Sequence, residues 1–229
     1  MKSILVMSPP LSTQRTIAAF LDRECGKIDA LRGKIETQIE KLDELKKSII
    51  TEAIDNHRWP MSKVKFIAEI NNGSDPRTEG DIPVYGSGES SFKTCGEFKV
   101  GPTVLIGRKG ATLHIPHYIQ GKYWNVDTAF DVTMIGGNNL RWFYYLATVF
   151  DYRYYISQTT LPGMSQSNYY NMPIRLPPLA EQREIVEYLD RKCGAIDAAK
   201  GKCRAELEKL SEYKKSLIYE CVTGKREVA

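Results

Sequence analysis

The sequence predicts an α+β fold, in which a mostly β globular domain with a few helices is flanked by two long helices that run antiparallel as a coiled coil. Three observations predict it. Residues 9–52 recur at 177–220 without gaps, at a constant offset of 168 and with 25 identities in 44 positions. Apolar residues recur every seven positions through both copies. Between the copies that periodicity stops, and Gly, Pro, Tyr and β-branched residues take over.

The chain divides accordingly into a leading segment 1–8, a helical segment 9–58, a globular domain 59–176, a second helical segment 177–224 and a tail 225–229. Each helix is entered through Pro-Pro-Leu (Pro9, Pro10, Leu11 and Pro177, Pro178, Leu179), which fixes an extended approach. Ser12 or Thr13 is placed to cap the first helix. Pro60 ends it by about Trp59, and Gly224 is placed to end the second. The stripe is Leu21, Ile28, Ile35, Leu42 and Ile49 in one copy, and Leu189, Ile196, Cys203, Leu210 and Leu217 in the other. Ile17, Leu31 and Leu45 add an interleaved row, interrupted by Glu24, Gln38 and Glu52. A helix lying on a globular core would also carry a stripe, but the length of this one in both copies favours a coiled coil, with these residues as helix-packing and dimer contacts.

Gly26 and Gly33, repeated as Gly194 and Gly201, each cost about 1 kcal/mol relative to Ala in a helix interior. Either the helix kinks near Gly26 or the glycines admit a closely packed partner, and both readings stay open. A straight helix over 13–55 would be roughly 65 Å long, and a kinked one would keep roughly 40 Å. Domain termini tend to lie close together, so the second helix is expected to return along the first, with the globular domain at one end of the rod.

In the middle domain, strands are expected at 82–86, 100–106, 124–130 and 131–135, and a helix at 140–154. The aromatic group Trp142, Tyr144, Tyr145, Tyr152, Tyr154 and Tyr155 reads as core rather than as a stacking platform. The 229 residues carry a net charge of +4, half of it in residues 60–176 (11 Lys and Arg against 9 Asp and Glu, +2). That mild excess is compatible with a polyanionic partner and decides nothing alone. Five cysteines without a C-x-x-C pair point to free thiols in a reducing compartment. The apolar run at the N-terminus is too short for a signal peptide or a span, so a cytoplasmic protein without membrane contact is expected.

Catalytic patterns are missing. There is no phosphate-binding G-x-x-x-x-G-K-S/T loop, and neither Pro-Pro pair sits in the Asn/Asp-Pro-Pro-aromatic turn of adenine methyltransferases. Gly86-Ser87-Gly88 reads as a turn. His114 and His117, with Cys95 the sole further candidate, do not complete a metal site. Ser90-Ser91-Phe92-Lys93 lacks the companion motifs of a Ser-x-x-Lys enzyme. No catalytic site, metal or cofactor is expected.

The block Leu176-Pro177-Pro178-Leu179-Ala180-Glu181-Gln182-Arg183-Glu184-Ile185, opening a helix, resembles the start of the conserved helical region in specificity subunits of type I restriction–modification systems. Ile67-Ala68-Glu69-Ile70-Asn71-Asn72-Gly73, Thr103-Val104-Leu105-Ile106-Gly107-Arg108-Lys109-Gly110, Asn125-Val126-Asp127-Thr128-Ala129-Phe130 and Met164-Ser165-Gln166-Ser167-Asn168-Tyr169-Tyr170-Asn171 extend the resemblance over essentially the whole chain, in the family's order and spacing. The resemblance implies a target-recognition domain at 59–176 that reads double-stranded DNA, and helices that dock methyltransferase subunits, with a restriction subunit able to join. S-adenosylmethionine and ATP would then sit on those partner subunits only. The family's usual order is recognition domain, helix, recognition domain, helix. Here the first domain is missing, and residues 1–8, which align with 169–176, resemble its remnant. The implied protein is a half-length specificity subunit reading one half-site, expected to form a homodimer on an interrupted palindrome, with the rod setting a spacer of roughly one to two turns of B-DNA. An assembly protein whose middle domain no longer reads DNA is the competing reading; a self-sufficient modifying enzyme is disfavoured by the missing motifs.

Base reading needs hydrogen-bonding side chains on loops, and phosphate gripping needs cations beside them. Three stretches qualify: Tyr85, Ser87 and Lys93; Arg108 and Lys109, expected exposed at the end of a buried strand; and the polar runs holding Gln158, Gln166 and Asn168. Arg77 and Lys122 complete the set. The alternative for each is an ordinary solvated loop.

Overall fold

The computed structural model describes residues 9–55, 57–88, 90–156 and 162–228. It contains the helices α1 (Leu11–Ile54), α2 (Leu140–Thr148), α3 (Gln166–Asn171) and α4 (Leu179–Val222). Its strands are β1 (Met61–Lys63), β2 (Ala68–Asn72), β3 (Ile82–Tyr85), β4 (Lys93–Cys95), β5 (Lys99–Val100), β6 (Thr103–Gly107), β7 (His117–Ile119), β8 (Lys122–Asn125), β9 (Ala129–Met134) and β10 (Pro173–Arg175). Residues 1–8, the remnant expected from the repeat, lie outside the described residues. The chain forms two compact units, one from Met1–Leu45 and Gly194–Ala229, the other from Lys46–Cys193.

The repeat is reproduced in the structure to the residue. Helices α1 and α4 each span 44 residues, and both their ends differ by 168 (11 and 179, 54 and 222). Helix α1 begins at Leu11, directly after Pro10, so Ser12 and Thr13 lie inside the first turn and neither is the cap. Gly224 takes the left-handed conformation, φ +72°, that follows the last turn of α4. Both helices run unbroken through their glycines. Among the described residues, no atom beyond the helix's own nearby backbone comes within 4 Å of where a Cβ would stand at Gly26, Gly33, Gly194 or Gly201. These glycines therefore do not interrupt the helices, and no other described segment packs on them.

In the helical unit α1 and α4 run antiparallel: Asp29 bonds Lys214 at 2.7 Å and Asp43 bonds Lys200, one number rising as the other falls. Ile28, Ile35, Ile196, Cys203, Leu217 and Cys221 are buried, and Leu21, Leu42 and Leu210 are half-buried. The second row of the seam differs from the expected one. Leu31 and Leu45 are 42% and 48% exposed. The inward row is instead Cys25, Arg32 and Ile39 on α1, and Lys200, Leu207, Lys214 and Cys221 on α4. The row through Leu31 is broken by Glu24 and Gln38. The other row offers small or aliphatic side chains and long basic stems that lie along the seam while their charged ends reach acids at its edge.

The globular unit holds two four-stranded sheets. One, in the order β2-β9-β6-β7, is antiparallel throughout; the other, β4-β3-β8-β5, has β3 and β8 parallel. Strands β1 and β10 pair separately. Residues 124–130, expected as one strand, are divided: β8 stops at Asn125 and a turn closed by the Ala129 amide on the Val126 carbonyl (3.0 Å) leads into β9. The helix expected over 140–154 stops at Thr148, because Asp151 caps a separate 3₁₀ turn at Tyr152–Tyr154. Helix α3, capped by Ser165, was not foreseen.

Val104, Ile106, Phe130 and Val132 of the first sheet share one apolar cluster with Trp142, Phe143 and Leu146 of α2 and Tyr169 of α3. Leu105, Ile119, Tyr123 and Tyr85 form a second. Trp142, Tyr145 and Tyr152 are core as expected, whereas Tyr154 is 83% exposed. Lys99 of β5 joins the sheets by pairing with the buried Asp131 of β9 and with Asn125 (2.8 Å). The end of α1 and the start of α4 belong to this unit, and Ile50, Ile54, Leu189 and Cys193 complete its main cluster.

Two substitutions test the seam. Ile28→Ala should cost about 2–4 kcal/mol and Leu31→Ala less than about 0.5 kcal/mol in urea unfolding followed by circular dichroism; equal costs would reassign the rows. Gly33→Ala and Gly201→Ala, in open helix interiors, should each stabilise by about 0.5–1 kcal/mol. A loss of stability would mean that another chain packs on those positions.

Candidate nucleic-acid interface

The residues at 108–110 continue β6 out of the sheet, and main-chain bonds hold them from three sides. The amides of Arg108 and Lys109 donate to the Thr128 carbonyl (2.8 and 3.3 Å), the Gly110 amide to Pro162 (3.0 Å), and the Met164 amide to the Arg108 carbonyl (2.8 Å). The Ser87 hydroxyl donates to the Lys109 carbonyl, and the Thr112 hydroxyl to the Ser87 carbonyl (2.7 Å). Glycine is required twice. A Cβ on Gly107 would stand 2.3 Å from Leu113 Cα, and Gly110 has φ +122°. The Tyr169 hydroxyl secures the Gly107 carbonyl at 2.7 Å. The β3–β4 loop, the end of β6 and the chain entering α3 are thereby gathered around Lys109.

Lys109 is exposed at the centre of this junction, as expected. Arg108 is not fully exposed. It is half-buried, its guanidinium donating to the Asp127 carbonyl (3.2 Å) and lying 5.8 Å from the Phe130 ring. Ser87 is spent on holding Lys109, and Tyr85 packs against the Leu105 cluster. Gln166 and Asn168 are likewise structural: their amides donate to the carbonyls of Ile70 and Tyr155 (2.6 Å for Asn168). These two bonds fasten α3 down. Gln158, with its neighbours in 157–161, lies outside the described residues.

Lys93, Lys122 and Arg77 are exposed. Lys93 lies over the Phe92 ring at 5.5 Å and Lys122 over the Phe98 ring at 4.4 Å. Phe92 and Phe98 are themselves 60% and 50% exposed. The two lysine–phenylalanine pairs lie toward opposite edges of the second sheet, one on β4 and one beside β5; the sequence points to the lysines but not to the rings, and Phe98 meets Lys122 only through the fold. Arg77 is carried on a loop pinned by Glu97. The Thr78 hydroxyl, followed by the amides of Arg77 and Thr78, holds the Glu97 carboxyl down to about 2. Inside the domain, burial and the Asp131 carboxylate push the Tyr123 phenol up to about 12, leaving it neutral. Among the described residues no cluster of three or more His, Cys, Asp or Glu could hold a metal ion, and no helix is long and apolar enough to cross a membrane.

Comparison with known proteins follows this geometry. The chain is 28% identical over 139 residues to a putative type I restriction enzyme specificity subunit of Haemophilus influenzae, which covers 57% of this chain and 36% of that protein. It is 25% identical over 91 residues to the type I restriction enzyme EcoprrI specificity subunit of Escherichia coli, covering 40% and 23%. Its fold is similar to a chain from a structure of a type I R-M system (TM-score 0.75, 19% identity, 95% of this chain and 61% of that one). It is also similar to the HsdS subunit of Thermoanaerobacter tengcongensis (TM-score 0.59, 18% identity, 96% and 61%). The chain therefore spans about a third or less of the curated relatives and three-fifths of the solved ones. Residues 56–209 match the type I restriction modification DNA specificity domain, and the chain belongs to that family.

Proposed function

We propose that the chain is a DNA-recognition subunit of a type I restriction–modification complex, in which residues 59–176 read one half-site and the helices dock methyltransferase subunits. The observation that carries this reading is the match of residues 56–209 to the DNA specificity domain. The loop junction around Lys109 supports it. A reader of DNA needs cations held at fixed positions, and main-chain bonds fix this one from three sides. Lys93, Lys122 and Arg77 supply further phosphate contacts, and Phe92 and Phe98 offer apolar surface beside them. The subunit is non-catalytic and carries no cofactor; methylation and cleavage, with S-adenosylmethionine and ATP, belong to partner subunits. Two copies form a homodimer on an interrupted palindrome, with the helices setting the spacer. A restriction subunit joins the complex, which acts in the cytoplasm.

Selection from randomised duplexes, with and without a cognate methyltransferase, tests the reading. A motif in two inverted halves is expected; salt-sensitive binding with no motif would leave an assembly protein that does not read DNA. X-ray scattering of the complex should show two globular domains, and a single one would exclude the homodimer.

The residue assignments separate in the same assay. Lys109→Ala should weaken binding to all sequences about equally and reduce the slope of log affinity against log salt by about one. Asn168→Ala should instead cost about 1 kcal/mol of stability and leave the selected motif unchanged. A changed motif would return Asn168 to the reading surface.

A further inference from the structure

The loops that meet at Lys109 spend hydroxyls on main chain: Ser87 on the Lys109 carbonyl, and Thr112 on the Ser87 carbonyl (2.7 Å). What they leave to solvent includes a ring and two cations. Phe92 is 60% exposed, Lys93 is exposed with its Nζ 5.5 Å from the centre of that ring, and Lys109 is exposed. The Phe92 main chain is fixed. Its amide donates to the Val84 carbonyl at 3.1 Å, and Lys93 follows as the first residue of β4, in register with Val84 of β3. Gly86 lets the ring lie beside the junction. The spot a Cβ would take on Gly86 is 2.8 Å from Thr128 Oγ1 and 3.6 Å from Phe92 Cε1. The Thr128 carbonyl is in turn the acceptor for the Lys109 amide (3.3 Å). The exposed ring and the held lysine therefore stand on the same piece of backbone.

A lone exposed ring on a protein surface is ordinary; the surroundings of this one are not. Phe98 makes the contrast. It also carries a lysine, Lys122, but it follows directly on Glu97, whose carboxyl the Thr78 hydroxyl and the amides of Arg77 and Thr78 hold down to about 2, so that it stays an anion. The two lysines beside Phe92 suit a polyanion, and the carboxylate beside Phe98 opposes one. On duplex DNA the base edges present hydrogen-bonding groups in both grooves, together with one apolar group, the C5-methyl of thymine in the major groove. A ring without a polar atom, pressed on the hydrogen-bonding groups, would strip their water and return nothing. Against the methyl it takes apolar surface of both partners out of water.

We propose that Phe92 is a specificity-determining residue, reading one thymine of the half-site by its C5-methyl in the major groove while Lys93 and Lys109 take neighbouring phosphates. This rests on the reading of residues 59–176 as a DNA-recognition domain, and it adds to that reading a side chain, a base and a groove. The lysines hold the domain on any sequence; the ring makes one position depend on a methyl group.

Uracil in place of thymine tests the assignment, because the two bases pair alike and differ by that methyl alone. Each thymine in one half of the selected motif is replaced in turn, and binding of the complex with its cognate methyltransferase is measured. At one position the parent chain should bind the thymine duplex about fourfold more tightly than the uracil duplex, the worth of one buried CH₂-sized group. Phe92→Ala should bring that ratio to about one by losing affinity for the thymine duplex alone. Phe92→Leu, still apolar, should keep thymine ahead, and Phe98→Ala, toward the other edge of the sheet, should leave the parent ratio unchanged. A selected motif without thymine, a parent chain that binds thymine and uracil equally at every position, or a ratio that survives Phe92→Ala overturns the proposal. So does an equal loss on both duplexes, the mark of a ring wedged between base steps. The uracil comparison on the parent chain needs no variant and decides even where Phe92→Ala fails to fold. If no motif is selected at all, the recognition reading fails and takes this proposal with it; a motif indifferent to Phe92 leaves that reading standing and removes this one.

Discussion

The globular unit depends on one carboxylate. Asp190 takes the hydroxyl of Tyr145 and the guanidinium of Arg141, two side chains one turn apart on α2. Burial and this bond keep the Tyr145 phenol protonated far above its ordinary range, so it is a permanent donor. With α2 held on α4, Trp142 and Phe143 are fixed against the first sheet. That sheet holds β6, and β6 delivers the junction at Lys109. Breaking the Asp190 contact would leave a buried phenol without its acceptor and loosen everything stacked behind it. The Lys109 junction is thus fastened to the start of α4 through successive layers of core.

A division of labour follows from the two units. The helix pair is held by a seam of seven-residue period and a few edge ion pairs, contacts that involve no residue of the sheets. The globular domain keeps its exposed cations on loops and strand edges while its sheets lock internally through Lys99 and Asp131.

The helices were legible in the sequence because repetition and periodicity are local properties; their ends came out within a few residues. Their second seam row was not. Leu31 and Leu45 satisfied the pattern, but which row faces the partner depends on where α4 lies and on basic stems that a hydrophobicity count treats as polar. In the middle domain, turn chemistry showed strands without their partners: nothing local says that β3 runs parallel to β8, or that one predicted strand is two. The candidate site fared as expected for polar residues. Lys109, Lys93, Lys122 and Arg77 are exposed, while Ser87, Gln166 and Asn168 turned out to hold backbone. An amide or hydroxyl looks the same in sequence whether it will face a base or a carbonyl, and only the fold separates the two.

The junction around Lys109 has a bearing on how such a protein diversifies. Its shape is enforced by amide-to-carbonyl bonds among residues 108, 109, 110, 128, 162 and 164, and by glycines where no side chain fits. Backbone groups are common to every amino acid except proline's missing donor. The side chain at 109 can therefore be exchanged for another of different size or hydrogen-bonding character with little effect on the loop that presents it. The strength of the phosphate contact proposed at this position becomes a trait that single substitutions can redraw, while the scaffold inherits no strain from the change.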